Sequence, residues 1–208
     1  LTAGALAETY AVKGKNVWTG TSAGTLTDGV VIIRDGRIVT VGGPDTPVPE
    51  GASVVSSEWV TPGLISAFSR TGIIEVDAED TTNDSSAALS PFSVALNAAD
   101  GFNPDDTAVH VTRLGGVTRI AVAPVPSTNL FAGQGFVADT SGRQEGDIHE
   151  NAFVYMSMGE GGAGLAGGSR PAAWAQLRAA IDDARAYPGR YAVGGTGDVL
   201  TRLDAKAL

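Results

Sequence analysis

This chain of 208 residues contains two histidines, His110 and His149, and no cysteine. Thiolate nucleophiles, thiolate metal centres and disulfides are therefore excluded. A zinc site needs three or four converging donors, and two scattered histidines do not supply one. His110 falls in a segment of helical character and reads as a surface or capping residue. His149 lies in Asp147-Ile148-His149-Glu150, with acids on both sides. It reads as a solvated loop residue, with metal ligation the weaker alternative. Glu75, Asp77, Glu79 and Asp80 form an acidic cluster. Glu75 and Asp77 would share one face of an extended chain and could serve as an acid–base or ligand pair, although an acidic loop is the simpler reading.

Residues 159–164, GEGGAG, match the spacing G-x-G-x-x-G. A dinucleotide loop needs a helix starting at once and an acid at the end of the next strand. Here the helical pattern begins only at Pro171, and no such acid follows. A flexible glycine loop is expected instead, with Glu160 and Gly161 available to substrate or partner. Gln134-Gly135, inside FAGQGF, is expected to form a turn whose N–H groups approach a ligand, with a structural hairpin as the default. Neither G-x-S-x-G nor a Walker sequence occurs, so serine-hydrolase and P-loop chemistry are excluded.

The formal net charge is −9 and the 14 Lys and Arg are scattered singly. Such a surface repels polyanions, so neither nucleic acid nor an acidic membrane face is an expected partner. No apolar run approaches the roughly 20 residues needed to span a bilayer. Residues 1–7, LTAGALA, end in the small-x-small pattern that precedes signal-peptide cleavage. They read as a signal-peptide remnant on a periplasmic or secreted protein that matures near Glu8. An ordinary alanine-rich start, with a cytoplasmic location, is the alternative.

These residues need a scaffold. Residues 10–18, 30–34, 37–41 and 53–60 read as strands, with Asp35-Gly36 as a two-residue hairpin signal and residues 19–29 as a turn-rich link. Residues 8–60 are therefore expected to form a small antiparallel β unit. Beyond it, residues 64–68, 117–123 and 153–158 read as buried strands. Residues 76–104 read as loop, residues 107–114 as helix, and residues 129–139 as an excursion with a hairpin. Residues 171–187 read as a helix with Pro171 in its first turn and Trp174, Leu177 and Ile181 on its apolar face. Helix, glycine and strand in succession is the pattern of parallel α/β units.

Three segments resemble the amidohydrolase superfamily in its imidazolonepropionase-like and dihydroorotase-like branches. Residues 29–42, GVVIIRDGRIVTVG, resemble its amino-terminal hairpin. Residues 59–65, WVTPGLI, resemble the lead-in to barrel strand 1, and residues 113–118, RLGGVT, the lead-in to strand 2. The resemblance implies a partial β-sandwich (residues 8–60) followed by the first β/α units of a TIM-type (β/α)8 barrel (residues 61–208), incomplete in this chain. It also implies a zinc or other divalent metal site at the carboxyl ends of the strands of a completed barrel.

In that family D-x-H-x-H follows the Pro-Gly-Leu-Ile. The corresponding residues here are Ser66, Ala67, Phe68, Ser69 and Arg70. Phe68 has no lone pair to offer a metal, and Arg70 is a fixed cation. The resemblance thus implies a pseudoenzyme: non-catalytic alone, with no cofactor of its own, working as a structural part or subunit of a C–N bond hydrolase. A complementary polypeptide would complete the barrel as a heteromer. Two alternatives stay open: the amino-terminal segment of an active amidohydrolase with ligands on later strands, and an independent binding module.

Overall fold

A computed structural model describes residues 8–76, 79–144, 146–187, 189 and 199–208. The signal-like start at residues 1–7, and Asp77 of the acidic cluster, lie outside the described residues. The chain divides into two compact units, Leu1–Gly63 and Leu64–Leu208.

The first unit is a four-stranded sheet of β1 (Thr9–Trp18), β2 (Thr25–Arg34), β3 (Arg37–Gly42) and β4 (Ser53–Val60), in the order β3-β2-β1-β4. Asp35 and Gly36 have φ of 51° and 73°, both left-handed, as a type I′ turn between β2 and β3 requires. The expected antiparallel unit is in fact mixed, because β4 pairs parallel to β1, with Val12 opposite Val55. The proline-bearing segment after β3 carries the chain to the far edge, so β4 arrives in the direction of β1. It also covers the sheet: Val48 and Ala52 pack on buried Ala11, Val30 and Ile32. The turn-rich link is shorter than expected. Threonine is a good strand former, and β2 already begins at Thr25.

The second unit carries β5 (Leu64–Ser69), β6 (Val117–Val122), β7 (Phe131–Asp139) and β8 (Ile148–Met156), in that order across one sheet. Its helices are α1 (Thr107–Leu114), α2 (Glu160–Leu165), α3 (Arg170–Ala186) and α4 (Arg202–Ala207). β5 and β6 pair parallel, whereas β7 is antiparallel to both of its neighbours. The three expected strands do run in one direction, but the excursion between the second and third is itself a strand lying between them. It was obscured because Gly133 and Gly135 interrupt its alternation. One core gathers Ile73, Ile120, Val122, Phe136 and Ala138. A second gathers Val94, Leu130, Phe131, Ala173, Ala180 and Leu200.

Helix α1 is capped by Asp106, whose carboxylate accepts the Ala108 N–H. Helix α3 is capped by Ser169, with proline in its first turn. It packs through Ala173 and Ala180, while Trp174 is largely exposed, so its inner face is set by small residues rather than by the aromatic. The expected glycine loop at residues 159–168 is partly helical and contains α2. A Cβ on Gly162 would lie 1.8 Å from the Ser157 carbonyl oxygen, so this glycine serves close helix packing, not flexibility.

Candidate functional site

Strand β5 ends at Ser69, whose carbonyl accepts the Ala123 N–H at 3.1 Å beyond the end of β6. Next to this end the Phe68 ring meets that of Tyr155 on β8, with centroids 5.2 Å apart and planes tilted by 47°. β6 and β7 lie between the two strands. At about 4.8 Å per strand spacing, rings so separated meet only if both lean inward over one face of a curved sheet. Gly135 helps make room on β7. A Cβ there would come within 2.3 Å of the Phe153 ring and 2.7 Å of the Val122 carbonyl oxygen.

Arg70 continues this assembly. Its guanidinium carbon lies 5.9 Å from the Phe68 ring centroid, a cation–π distance. Ser69 donates its hydroxyl to Thr71 Oγ1 at 2.7 Å and accepts the Thr71 N–H at 3.0 Å. Phe68, Ser69, Arg70, Thr71, Ile74 and Ala108 line an open concavity of about 440 Å³.

A second hollow, of about 380 Å³, is lined in part by Asp84, Ser85, Asn97, Asp100, Pro124 and Ala132. Its wall is fixed by the backbone. The Leu96 carbonyl accepts the Gln134 N–H at 2.7 Å. Buried Asp204 on α4 accepts the N–H groups of Ser93 and Ala95 at 2.9 and 2.8 Å, and the Thr201 hydroxyl at 2.7 Å.

The other sequence-predicted residues are dispersed. Gln134 lies within β7, so the expected turn is absent and its N–H is committed to Leu96. His149 lies on β8 rather than in a loop, 3.4 Å from Asp147, which also pairs with Arg119 at 2.8 Å. His110 is held in α1 between Asp105, at 3.0 Å, and Arg113, at 2.9 Å, consistent with a structural role. Glu160 and Gly161 sit exposed in the first turn of α2.

Glu75 and Glu79 of the acidic cluster have separate partners. Glu75 accepts from Asn103 Nδ2 at 2.7 Å, while Glu79 accepts from Thr81, whose hydroxyl holds its pKa below the ordinary value. Among the described residues, no group of three or more His, Cys, Asp and Glu side chains is placed to hold a metal ion. Tyr155 and Asp204 were missed in the sequence. Nothing in the pattern of β8 singles out Tyr155. Asp204 did carry a signal, because Thr201-x-x-Asp204 has capping-box spacing.

No protein-family profile matches the chain. It is 27% identical over 125 residues to the curated amidohydrolase TasK of Hapsidospora irregularis, a match covering 57% of this chain and 12% of that protein. A solved amidohydrolase from Thermotoga maritima superposes with a TM-score of 0.71 at 24% identity, over 94% of this chain. The chain spans 54% of the length of that structure, and the likeness is one of fold.

Proposed function

Starting from a chain that has the fold of the amino-terminal portion of an amidohydrolase-superfamily protein, we propose that it is a structural part of a C–N bond hydrolase assembly and does not hydrolyse substrate alone. The observation that carries this reading is the occupancy of the carboxyl end of β5. The resemblance puts metal-ligating histidines at the positions of Phe68 and Arg70. A phenyl ring packed on Tyr155 offers no lone pair, and a guanidinium beside it brings positive charge where a cation would have to sit. These residues do not fit the metal that the family implies.

A complementary polypeptide is the partner this reading requires. β5 exposes Leu64 by 58% and Ile65 by 68%, although it reads as a strand made for burial. In the first unit, a hollow of about 310 Å³ is lined mainly by apolar side chains, among them Val12, Trp18, Val31, Ile33 and Ile38. A second polypeptide covering such surfaces would make an interface of obligate scale, above roughly 2,000 Å².

Metal analysis of the purified chain, alone and with any co-purifying polypeptide, tests the reading. Dialysis against a weak chelator should leave the chain with far less than one equivalent of zinc. Retention of a full equivalent by the chain alone would overturn the proposal. Sedimentation should show association, and a compact monomer of 21.1 kDa would count against the partner.

A further inference from the structure

We propose that the concavity at the carboxyl end of β5 is a binding site for the carboxylate of a small, apolar organic acid. Among the described residues, the lining combines one guanidinium (Arg70), two hydroxyls (Ser69 and Thr71) and three apolar groups (Phe68, Ile74 and Ala108), with no carboxylate. Exposed Arg70 has no ion pair or side-chain hydrogen bond to its guanidinium among the described residues, as is also the case for Arg34 and Arg37.

The local geometry prepares the donors. The Arg70 guanidinium carbon lies 5.9 Å from the Phe68 ring centroid, and a guanidinium carries five N–H donors in one plane, able to grip a carboxylate in a two-point fork. The Phe68 ring is itself in contact with that of Tyr155. Ser69 directs its hydroxyl proton to Thr71 Oγ1, so the Thr71 oxygen acts as acceptor in that bond and its own proton remains free to donate. Arg70 and Thr71 thus supply a charged fork and a neutral donor on adjoining residues. Phe68, Ile74 and Ala108 form walls suited to the hydrocarbon part of the same ligand. The assignment concerns binding alone and stands apart from whether the chain takes part in hydrolysis.

The test is a titration of the full chain, labelled with 15N-arginine, by benzoate. Benzamide serves as the uncharged isostere and inorganic phosphate as an anion without an apolar part. Benzoate should shift the Arg70 Nε–H resonance saturably, benzamide should not, and phosphate should bind about tenfold more weakly. Followed by the Phe68 and Tyr155 ring protons, Arg70→Gln should weaken benzoate by about tenfold or more, as expected for loss of a charge-assisted hydrogen bond. Arg70→Lys should fall between, because the charge remains and the fork is lost. Thr71→Val, which leaves the cation in place, should also weaken benzoate. No saturable shift with benzoate, equal binding of benzamide or phosphate, or undiminished binding by Arg70→Gln would overturn the assignment.

Discussion

Phe68 on β5 and Tyr155 on β8 bring their rings to 5.2 Å across two intervening strands. This contact joins the two outer strands of the sheet by side chains where no backbone ladder can. An aromatic pair contributes about 0.5–1.5 kcal/mol beyond its buried area. A double-mutant cycle with Phe68→Leu and Tyr155→Leu, read by urea denaturation, should return a coupling in that range. A coupling of zero would mean that the rings are only neighbours.

Two glycines of α2 should respond to alanine with opposite signs. At Gly164 nothing among the described residues lies within 4 Å of a new Cβ, so Gly164→Ala should stabilise by up to about 1 kcal/mol through helix propensity. At Gly162 the new methyl would overlap the Ser157 carbonyl, and Gly162→Ala should destabilise by about 1–3 kcal/mol. Equal effects of the two changes in chemical denaturation would remove the packing explanation for Gly162.

Asp204→Asn should be costly despite its near-identical shape. The buried carboxylate accepts the N–H groups of Ser93 and Ala95 together with the Thr201 hydroxyl. An amide loses the charge and turns one acceptor into a donor. A loss of about 2–4 kcal/mol is expected. Amide exchange at Ser93 and Ala95 should rise with it, and unchanged protection there would show that α4 does not anchor this segment.

Asp139 should contribute an acid limb to stability. Burial pushes its pKa up, but hydrogen bonds from Ser141 and from the Asp147 N–H outweigh that and hold it below the ordinary value of 3.8. The folded state therefore binds this proton more weakly than the unfolded chain. The contribution is complete above the ordinary value and is lost as pH falls through the depressed folded value. Asp139→Asn should flatten the stability profile below pH 3.8 relative to the parent, and an unchanged acid limb would assign it to other carboxylates.

Local signals in the sequence were legible where one residue type decides the backbone. Asp35-Gly36 marked its hairpin, Pro171 marked the first turn of α3, and Thr107 to Leu114 read as the helix it is. Strand direction was less legible, because β4 and β7 take their sense from the route of the connecting chain, which their own residues do not encode. The glycines misled twice. At Gly135 a missing side chain accommodates the Phe153 ring inside a strand, and at Gly162 it accommodates a carbonyl against a helix. Both read as loop when only backbone freedom is considered. Phe68 and Arg70 could be singled out by position, whereas their joint dependence on Tyr155 comes from sheet curvature that no linear spacing contains.

The antiparallel placement of β7 has a consequence for the order of folding. β6, β7 and β8 follow one another along the chain and pair with their immediate successors, so their contacts close short loops. β5 must instead wait for the whole segment carrying the acidic cluster and α1 before Leu64 can meet Val117. Loop closure is entropically dearer and slower for such distant pairs. The meander should therefore nucleate first, with β5 docking late on its edge. In pulse-labelled hydrogen exchange, amides of β6–β8 should gain protection ahead of Leu64, whose N–H is bonded to the Gly116 carbonyl in the native state. The strand that ends beside Arg70 would then be the last of its sheet to be ordered.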